Sequence, residues 1–196
     1  HNDVDAVSFT GSTEVGGYFM KYSGESNLKS VGLEMGGKSP FIVLDDAKIT
    51  DDLIDNAINS AFWNGGQNCS ANMRQIIHSK IKDEFLDKVS KRVESLKVGD
   101  PLNLENNMGS MISKVHLQKV DSYIQKGIDE GAKVLHGGVS DPNQKGFFAK
   151  PTLFDDVKEN MTIAQDEIFG PVLGIITVKN EDEALKIAKN SKYGLH

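Results

Sequence analysis

Residues 39–78 read SPFIVLDDAKITDDLIDNAINSAFWNGGQNCSANMRQIIH, and this stretch decides the fold class. The apolar run at 39–44 predicts a strand, and residues 73–78 predict another. Between them, apolar residues recur on one helical face: Leu53, Ile54, Ala57, Ile58, Ala61 and Phe62. Residues 50–51 supply the predicted N-cap, and the helix is expected to end before two glycines. A strand, a helix and a strand in this order indicate an α/β fold.

The same alternation continues on both sides of this unit. Predicted strands cover residues 5–9, 27–33, 133–136, 147–154 and 171–178; predicted helices cover 13–22, 113–130 and 181–189, with another around Phe85. On the helix at 113–130 the predicted buried residues are Val115, Val120, Ile124 and Ile128. The pattern predicts a mostly parallel sheet covered by helices, with a domain boundary at residues 36–37.

The composition is that of a soluble globular protein, with 38% hydrophobic and 26% charged residues. Lys and Arg number 22 against 28 Asp and Glu, a formal net charge of −6. This balance argues against a nucleic-acid partner, because such proteins usually carry a basic stripe. No apolar run approaches the roughly 20 residues that cross a bilayer, and no signal peptide is evident. We therefore expect no membrane contact and a cytoplasmic location.

The first candidate site is FTGSTEVG at residues 9–16, a strand that runs through a glycine turn into a helix. Unpaired amides and the helix dipole at such an N-terminus can hold a pyrophosphate, which makes Gly11 and Ser12 candidate cofactor contacts. Alternatively, Gly11 only turns the chain and Ser12 only caps the helix.

The second candidate is LEMGGKSP at residues 33–40. Glu34 stands at the end of an apolar strand, and the two glycines after it allow close backbone approach. If burial raises its pKa, the carboxylate can act as a general base. The alternative is a solvated glutamate at a strand end.

The third candidate is GGQNCSAN at residues 65–72, which contains the single cysteine, Cys69. One cysteine forms no intramolecular disulfide, and no His/Cys cluster is spaced for zinc, so we predict no metal site. A sharp glycine turn before Cys69 can leave its thiol and its own N–H facing the same space, as nucleophile and oxyanion donor. The alternative is an inert, buried cysteine.

The fourth candidate is QDEIFGPV at residues 165–172. In an extended segment Glu167 and Phe169 point the same way, and a carboxylate beside a ring suits a sugar diol and a flat heterocycle. The alternative is a loop glutamate beside a core phenylalanine. The histidines show no ligand spacing and are assigned no role: His1, His78, His116, His136 and His196.

Together and in this order, FTGSTEVG, LEMGGKSP, GQNCSAN and EIFGPV resemble the NAD(P)-dependent aldehyde dehydrogenase superfamily. The resemblance implies a three-layer open sheet with helices on both faces, preceded by the tail of a Rossmann-like domain. It assigns residues 1–37 to the C-terminal piece of a dinucleotide-binding domain and residues 38–196 to an incomplete catalytic domain. It also implies an aldehyde substrate, NAD or NADP as cofactor, and a homo-oligomer.

The resemblance gives each candidate residue a role. Cys69 is similar to the nucleophile that forms a thiohemiacetal and then a thioester, and Glu34 to the base that activates water. Ser12 and its helix match the pyrophosphate contact, while Glu167 and Phe169 match the residues at the nicotinamide ribose. Because family members that transfer the acyl group to coenzyme A generally lack the glutamate, Glu34 favours hydrolysis to a carboxylic acid.

The resemblance also places an oxyanion-hole asparagine and a ribose-binding lysine upstream of this sequence. We therefore expect the 196-residue chain by itself to be inactive or very weakly active. Two other functions stay open. A non-catalytic binding or structural protein could keep the same fold, and a cysteine hydrolase would need a histidine near Cys69, for which His78 is the nearest in sequence.

Overall fold

The computed structural model describes residues 1–195. Its N-terminal part is a small parallel sheet with one helix. Strand β1 (Ala6–Thr10) pairs with β2 (Ser30–Glu34), so that Thr10 lies beside Glu34. Helix α1 (Thr13–Gly24) connects them and begins where the Ser12 hydroxyl accepts from the Val15 amide at 3.3 Å. Because the strands are parallel, the segments after Thr10 and Glu34 leave the sheet at the same edge.

The larger sheet has five strands among the described residues: β3 (Pro40–Val43), β4 (Arg74–His78), β5 (Lys133–His136), β6 (Thr152–Asp155) and β7 (Val172–Val178). Their order is β3-β4-β7-β6-β5, and all neighbours are parallel except β5 and β6. Helix α2 (Asp51–Phe62) connects β3 to β4 and is capped by the Thr50 hydroxyl, as predicted.

Helices cover both faces of this sheet: α3 (Lys82–Glu94) packs with α2 on one face, and α4 (Lys114–Asp129), the short α5 (Thr162–Gln165) and α6 (Glu181–Lys189) lie on the other. Adjacent residues of β4 divide between the two cores, because Ile76 packs with Val120 while Ile77 packs with Phe85. The predicted α/β fold is confirmed. No helix within residues 1–195 is long and apolar enough to cross a membrane.

Helix α4 buries two of the four predicted positions, Val120 and Ile124, but its buried face is turned slightly from the predicted one. Val115 and Ile128 are exposed, and the buried positions are Leu117, Val120, Ile124 and Gly127. A Cβ at Gly127 would meet Ile163 of α5 at 2.9 Å, so the helix crosses α5 at its glycine rather than at an isoleucine. The predicted strand at 147–154 is likewise shorter, since only Thr152–Asp155 pairs in the sheet.

Arg74 of β4 ties the start of the larger sheet to α6. Its guanidinium is buried and donates to the carbonyls of Lys38 at 2.9 Å, Ile187 at 3.0 Å and Ala188 at 3.0 Å. Ile187 and Ala188 lie in the last turn of α6, where the usual helical donors run out, although the Asn190 amide also reaches the Ile187 carbonyl at 3.2 Å. Arg74 therefore fixes residue 38 against the end of a helix.

Candidate active site

A pocket of about 470 Å³ opens between the small sheet and the larger one. Its walls include five predicted site residues: Gly11, Ser12, Cys69, Glu167 and Phe169. They come from three separate segments of the chain, which only the fold brings together. Glu34 is the predicted site residue that does not line this pocket.

A tight left-handed turn presents Cys69 to the pocket. It follows α2, and Asn64, Gly65 and Gly66 have φ of 52°, 63° and 70°. A Cβ on Gly66 would lie 2.5 Å from the carbonyl oxygen of Gly170, so glycine is required there for space as well as for φ. The turn leaves Cys69 half-buried and lining the pocket, which disfavours an inert core cysteine.

The side chains and backbone around Cys69 suit a nucleophile that acts without a histidine as its base. Its Sγ lies 3.9 Å from Oδ1 of Asn68, and no acceptor among residues 1–195 takes its backbone N–H. His116 lines the same pocket, but its Nε2 is bonded to the Phe169 carbonyl. His78 is buried on β4 beside Asp45. Within residues 1–195, the cysteine-hydrolase alternative therefore lacks its base.

The glycine pair at residues 36–37 joins the cysteine turn to Glu167. A Cβ on Gly37 would clash with the carbonyl oxygen of Cys69, and one on Gly36 would clash with the Glu167 carboxylate. The Gly37 amide donates to Glu167 Oε1 at 3.2 Å. Small residues are thus needed here because the nucleophile loop and the carboxylate both approach the same backbone.

Glu167 and Phe169 face one pocket for a reason other than the one predicted. The segment is not extended, because Phe169 has a left-handed φ of 59°. The Glu167 amide donates to the Tyr193 hydroxyl at 3.1 Å, which holds the backbone before this bend. The prediction that both side chains point the same way by strand alternation is wrong, although both do line the pocket.

A second cavity of about 410 Å³ continues the pocket toward the N-terminus of α1. The two cavities share Ser12, Lys119 and Glu167, and Lys192 also lines the second. The first amides of a helix have no intrahelical partner, so this end of α1 offers donors to an anion. Ser12 also caps the helix, as the alternative states, since its hydroxyl accepts a hydrogen bond from the Val15 amide.

Glu34 is exposed at the end of β2, and the expectation that burial activates it is wrong. It lines a separate groove of about 360 Å³ together with Lys192 and Tyr193. Met35 and Gly36 line both this groove and the central pocket, so the backbone after Glu34 forms the wall between them. The carboxylate reaches Cys69 only if its side chain or this wall changes conformation.

Behind the pocket, burial and neighbouring charges shift the pKa values of Lys38 and Asp166. Burial is the largest influence lowering the pKa of Lys38, followed by the nearby charge of Arg74; Asp166 and Glu167 raise it, and the result is about 7. The Lys38 Nζ has no hydrogen-bond partner among the described residues. Burial by itself raises the pKa of Asp166. The 2.7 Å hydrogen bond from Lys192 and the other nearby contacts together lower it by more, so the pKa of Asp166 lies below its ordinary value.

Replacement of Lys38 by methionine is expected to remove a pH dependence of stability. Between pH 7 and 10.5 the unfolded chain binds a proton on Lys38 that the folded chain has lost, so wild-type stability rises with pH in this window. Urea unfolding at pH 7 and 9 should show a wild-type gain of about 2 kcal/mol relative to Lys38→Met. Lys145→Met, at an exposed lysine, is the control. An equal change in unfolding free energy between pH 7 and 9 for wild type and Lys38→Met would contradict the lowered pKa of Lys38.

The model of the aldehyde dehydrogenase family matches residues 1–196. The chain belongs to this family. It is 44% identical to the mitochondrial aldehyde dehydrogenase of Rattus norvegicus and 40% identical to the aminoacetaldehyde dehydrogenase of Pseudomonas aeruginosa. Each match covers the whole of this chain but only 37% and 39% of the respective relative. The chain therefore spans about two fifths of the length of these relatives.

Solved aldehyde dehydrogenase structures superpose on nearly the whole chain. The NAD+ complex of the Bacillus cereus enzyme has 42% identity and a TM-score of 0.94, and covers 99% of this chain and 39% of its own. The enzyme KauB from Pseudomonas aeruginosa has 41% identity and a TM-score of 0.95, with the same two coverages. This likeness extends from the small sheet to α6.

Two residues that line the pocket lie outside all four candidate motifs. His116 and Lys119 lie three residues apart on α4 and both line the pocket. Their spacing places them on one helical face, but an exposed polar face is common in any amphipathic helix. The signal that identifies them is the packing of α4 against the segment at Phe169, which is tertiary. His196 lies outside the described residues.

Proposed function

We propose that this chain supplies the nucleophile and part of the cofactor site of an NAD(P)-dependent aldehyde dehydrogenase that oxidises an aldehyde to a carboxylic acid. The observation that carries the proposal is the single pocket that joins Cys69, Glu167, Phe169 and the end of α1. Cysteine, carboxylate, ring and helix end are the groups that thioester chemistry with a dinucleotide requires. The substrate within the aldehyde class is not part of the proposal.

The residues present fit a nicotinamide dinucleotide. The pocket and the cavity toward α1 are continuous through Ser12, Lys119 and Glu167. A diphosphate fits the N-terminus of α1 through the amides that have no partner within the helix. Lys119 lines the same cavity and adds a positive charge, whereas Lys192 is already paired with Asp166 at 2.7 Å. Glu167 is placed to accept hydrogen bonds from a ribose diol, and Phe169 offers a ring beside it. The NAD+ complex of the Bacillus cereus relative supports this assignment.

The oxidation begins at Cys69. Its sulfur forms a bond to the aldehyde carbon, the carbonyl oxygen becomes an oxyanion, and the free N–H of Cys69 stabilises that charge. Bound NAD(P)+ supplies the acceptor for the hydride that leaves this carbon. The acyl group then remains on Cys69 as a thioester. Glu34 takes a proton from water once its side chain, or the wall at residues 35–36, has moved to bring the carboxylate into the pocket. The water attacks the thioester, and the carbon–sulfur bond breaks to release the acid and the thiolate.

The division of the chain follows from the same proposal. Residues 1–37 would be the end of a dinucleotide-binding domain and residues 38–196 most of a catalytic domain, as the two separate sheets suggest. The 196-residue chain spans about two fifths of its relatives, so we propose that by itself it turns over very weakly. Loss of one oxyanion donor alone typically costs about 10²–10³ in rate. Ready NAD-dependent aldehyde oxidation by the isolated chain, lost in Cys69→Ser, would overturn this.

Product analysis tests the proposed reaction. A protein that contains this chain and the upstream part found in its relatives is expected to form NADH and free acid from an aldehyde without coenzyme A. Glu34→Gln should slow acid release by about 10²–10⁴-fold and leave a thioester on Cys69, because amide replaces the base. Asp46→Asn, at an exposed carboxylate after β3, is the matched control. A strict requirement for coenzyme A would contradict the hydrolytic reaction.

A further inference from the structure

Phe169 has an unfavourable backbone conformation at the centre of the pocket. Its φ of 59° lies in the left-handed region, which a bulky L-residue adopts only when its surroundings impose it. The next residue has no room for a side chain, because a Cβ on Gly170 would clash with Val120 of α4, so its backbone lies close against that helix. On its other side, the Gly170 carbonyl lies against Gly66 of the cysteine turn. The bend at residues 169–170 is thus confined between α4 and the nucleophile loop.

His116 makes two separate contacts with Phe169. Its Nε2 lies 2.5 Å from the Phe169 carbonyl oxygen, and the two rings meet edge to face with centroids 5.9 Å apart. A carbonyl oxygen only accepts, so Nε2 must carry the hydrogen and donate it. His116 itself is fixed at the start of α4, where the Ser113 hydroxyl accepts from its amide at 3.2 Å. The His116 side chain therefore contacts both the backbone and the ring of Phe169.

We propose that His116 is a positioning residue that holds Phe169 in its left-handed conformation over the pocket. The donated bond and the ring contact offset the cost of that conformation, and they set where the aromatic face lies relative to Glu167 and Cys69. The expected effect of His116 on cofactor affinity rests on the proposed function, whereas its effect on the Phe169 backbone does not. Because Nε2 is committed to the carbonyl, His116 acts through Phe169 rather than as a base for the thiol.

Two amide substitutions separate the hydrogen bond from side-chain volume. The side-chain nitrogen of glutamine can reach the position of Nε2, and that of asparagine reaches only the position of Nδ1. His116→Gln should therefore keep the bond to Phe169, while His116→Asn and His116→Ala should lose it. A structural role unrelated to this bond would not distinguish glutamine from asparagine.

Amide hydrogen exchange of the full 196-residue chain measures the positioning without any cofactor. We expect exchange in a peptide spanning residues 168–172 to be about five- to tenfold faster in His116→Ala and His116→Asn, the loss of one net hydrogen bond, and near wild type in His116→Gln. Exchange across residues 173–178 of β7 should not change in any variant, which excludes global destabilisation. Unchanged exchange at 168–172 in His116→Ala, or glutamine behaving like alanine, would overturn the proposal.

NAD+ affinity, measured by titration calorimetry for the same substitutions in a protein extended by the upstream part, adds the functional arm. If Phe169 contacts the cofactor, the dissociation constant should rise by a similar factor in His116→Ala and return in His116→Gln. Absence of NAD+ binding to a wild-type protein extended by the upstream part would contradict the proposed function. In that case the exchange result alone still supports or overturns the positioning of Phe169.

Discussion

Cys69→Ala is expected to slow covalent acylation of the chain by p-nitrophenyl acetate by at least about 10³-fold. An activated ester is a suitable probe because its attack by a thiolate needs neither a hydride acceptor nor the upstream cofactor residues. The half-buried thiol lines an open pocket, and its free N–H can stabilise the oxyanion that forms. The wild-type chain should release p-nitrophenol in a burst that is stoichiometric with protein and carry the acetyl group on Cys69 by peptide mass.

Ser70→Ala is the matched control for this variant, because Ser70 is the exposed neighbouring nucleophile in the same loop. It should retain the burst and the acetylated Cys69 peptide. A burst that survives in Cys69→Ala would contradict the assignment of the nucleophile. A wild-type chain that gives no burst and alkylates no faster than a free thiol of pKa about 8.5 would favour the non-catalytic binding protein.

The features predictable from sequence are those fixed by local chemistry. Thr50 and Ser12 cap the helices that follow them, and the glycines before Cys69 turn the chain as predicted. Each depends on a few consecutive residues and on backbone preferences that hold in any context. For this reason the strand–helix alternation and the glycine turn before Cys69 could be predicted without knowledge of the packing, whereas the exposure of the thiol could not.

The features that could not be predicted depend on contacts between distant segments. Val115 and Leu117 are both apolar near the start of α4, and only the way α4 packs into the core on this face of the sheet decides that Leu117 is buried. The left-handed bend at Phe169 is imposed by α4 and the cysteine turn, which lie about 50 and 100 residues away in sequence. Glu34 lies at a strand end as predicted, but which groove it lines depends on the wall after it.

Arg74→Met is expected to lower the free energy of unfolding by about 3 kcal/mol, because it removes the charged donor from three buried carbonyls, of which only that of Ile187 keeps a second donor, the Asn190 amide. The guanidinium is 1% exposed and bonds the carbonyls of Lys38, Ile187 and Ala188. Its loss also frees the backbone next to Gly37, whose amide donates to Glu167. Urea unfolding should show a midpoint lower by about 1 M or more.

Arg92→Met provides the contrast, since the Arg92 guanidinium makes an exposed 2.7 Å ion pair with Asp55 on the surface of α3 and α2. Such pairs contribute about 0–1 kcal/mol, so this variant should unfold near the wild-type midpoint. Removal of the Arg74 charge also relieves its repulsion of Lys38, which should raise the pKa of that lysine and offset part of the loss. Equal midpoints for the Arg74 and Arg92 variants would mean that the buried carbonyls find other donors. A loss confined to Arg74→Met would instead identify this arginine as the link that holds the Glu167-binding backbone against the larger sheet.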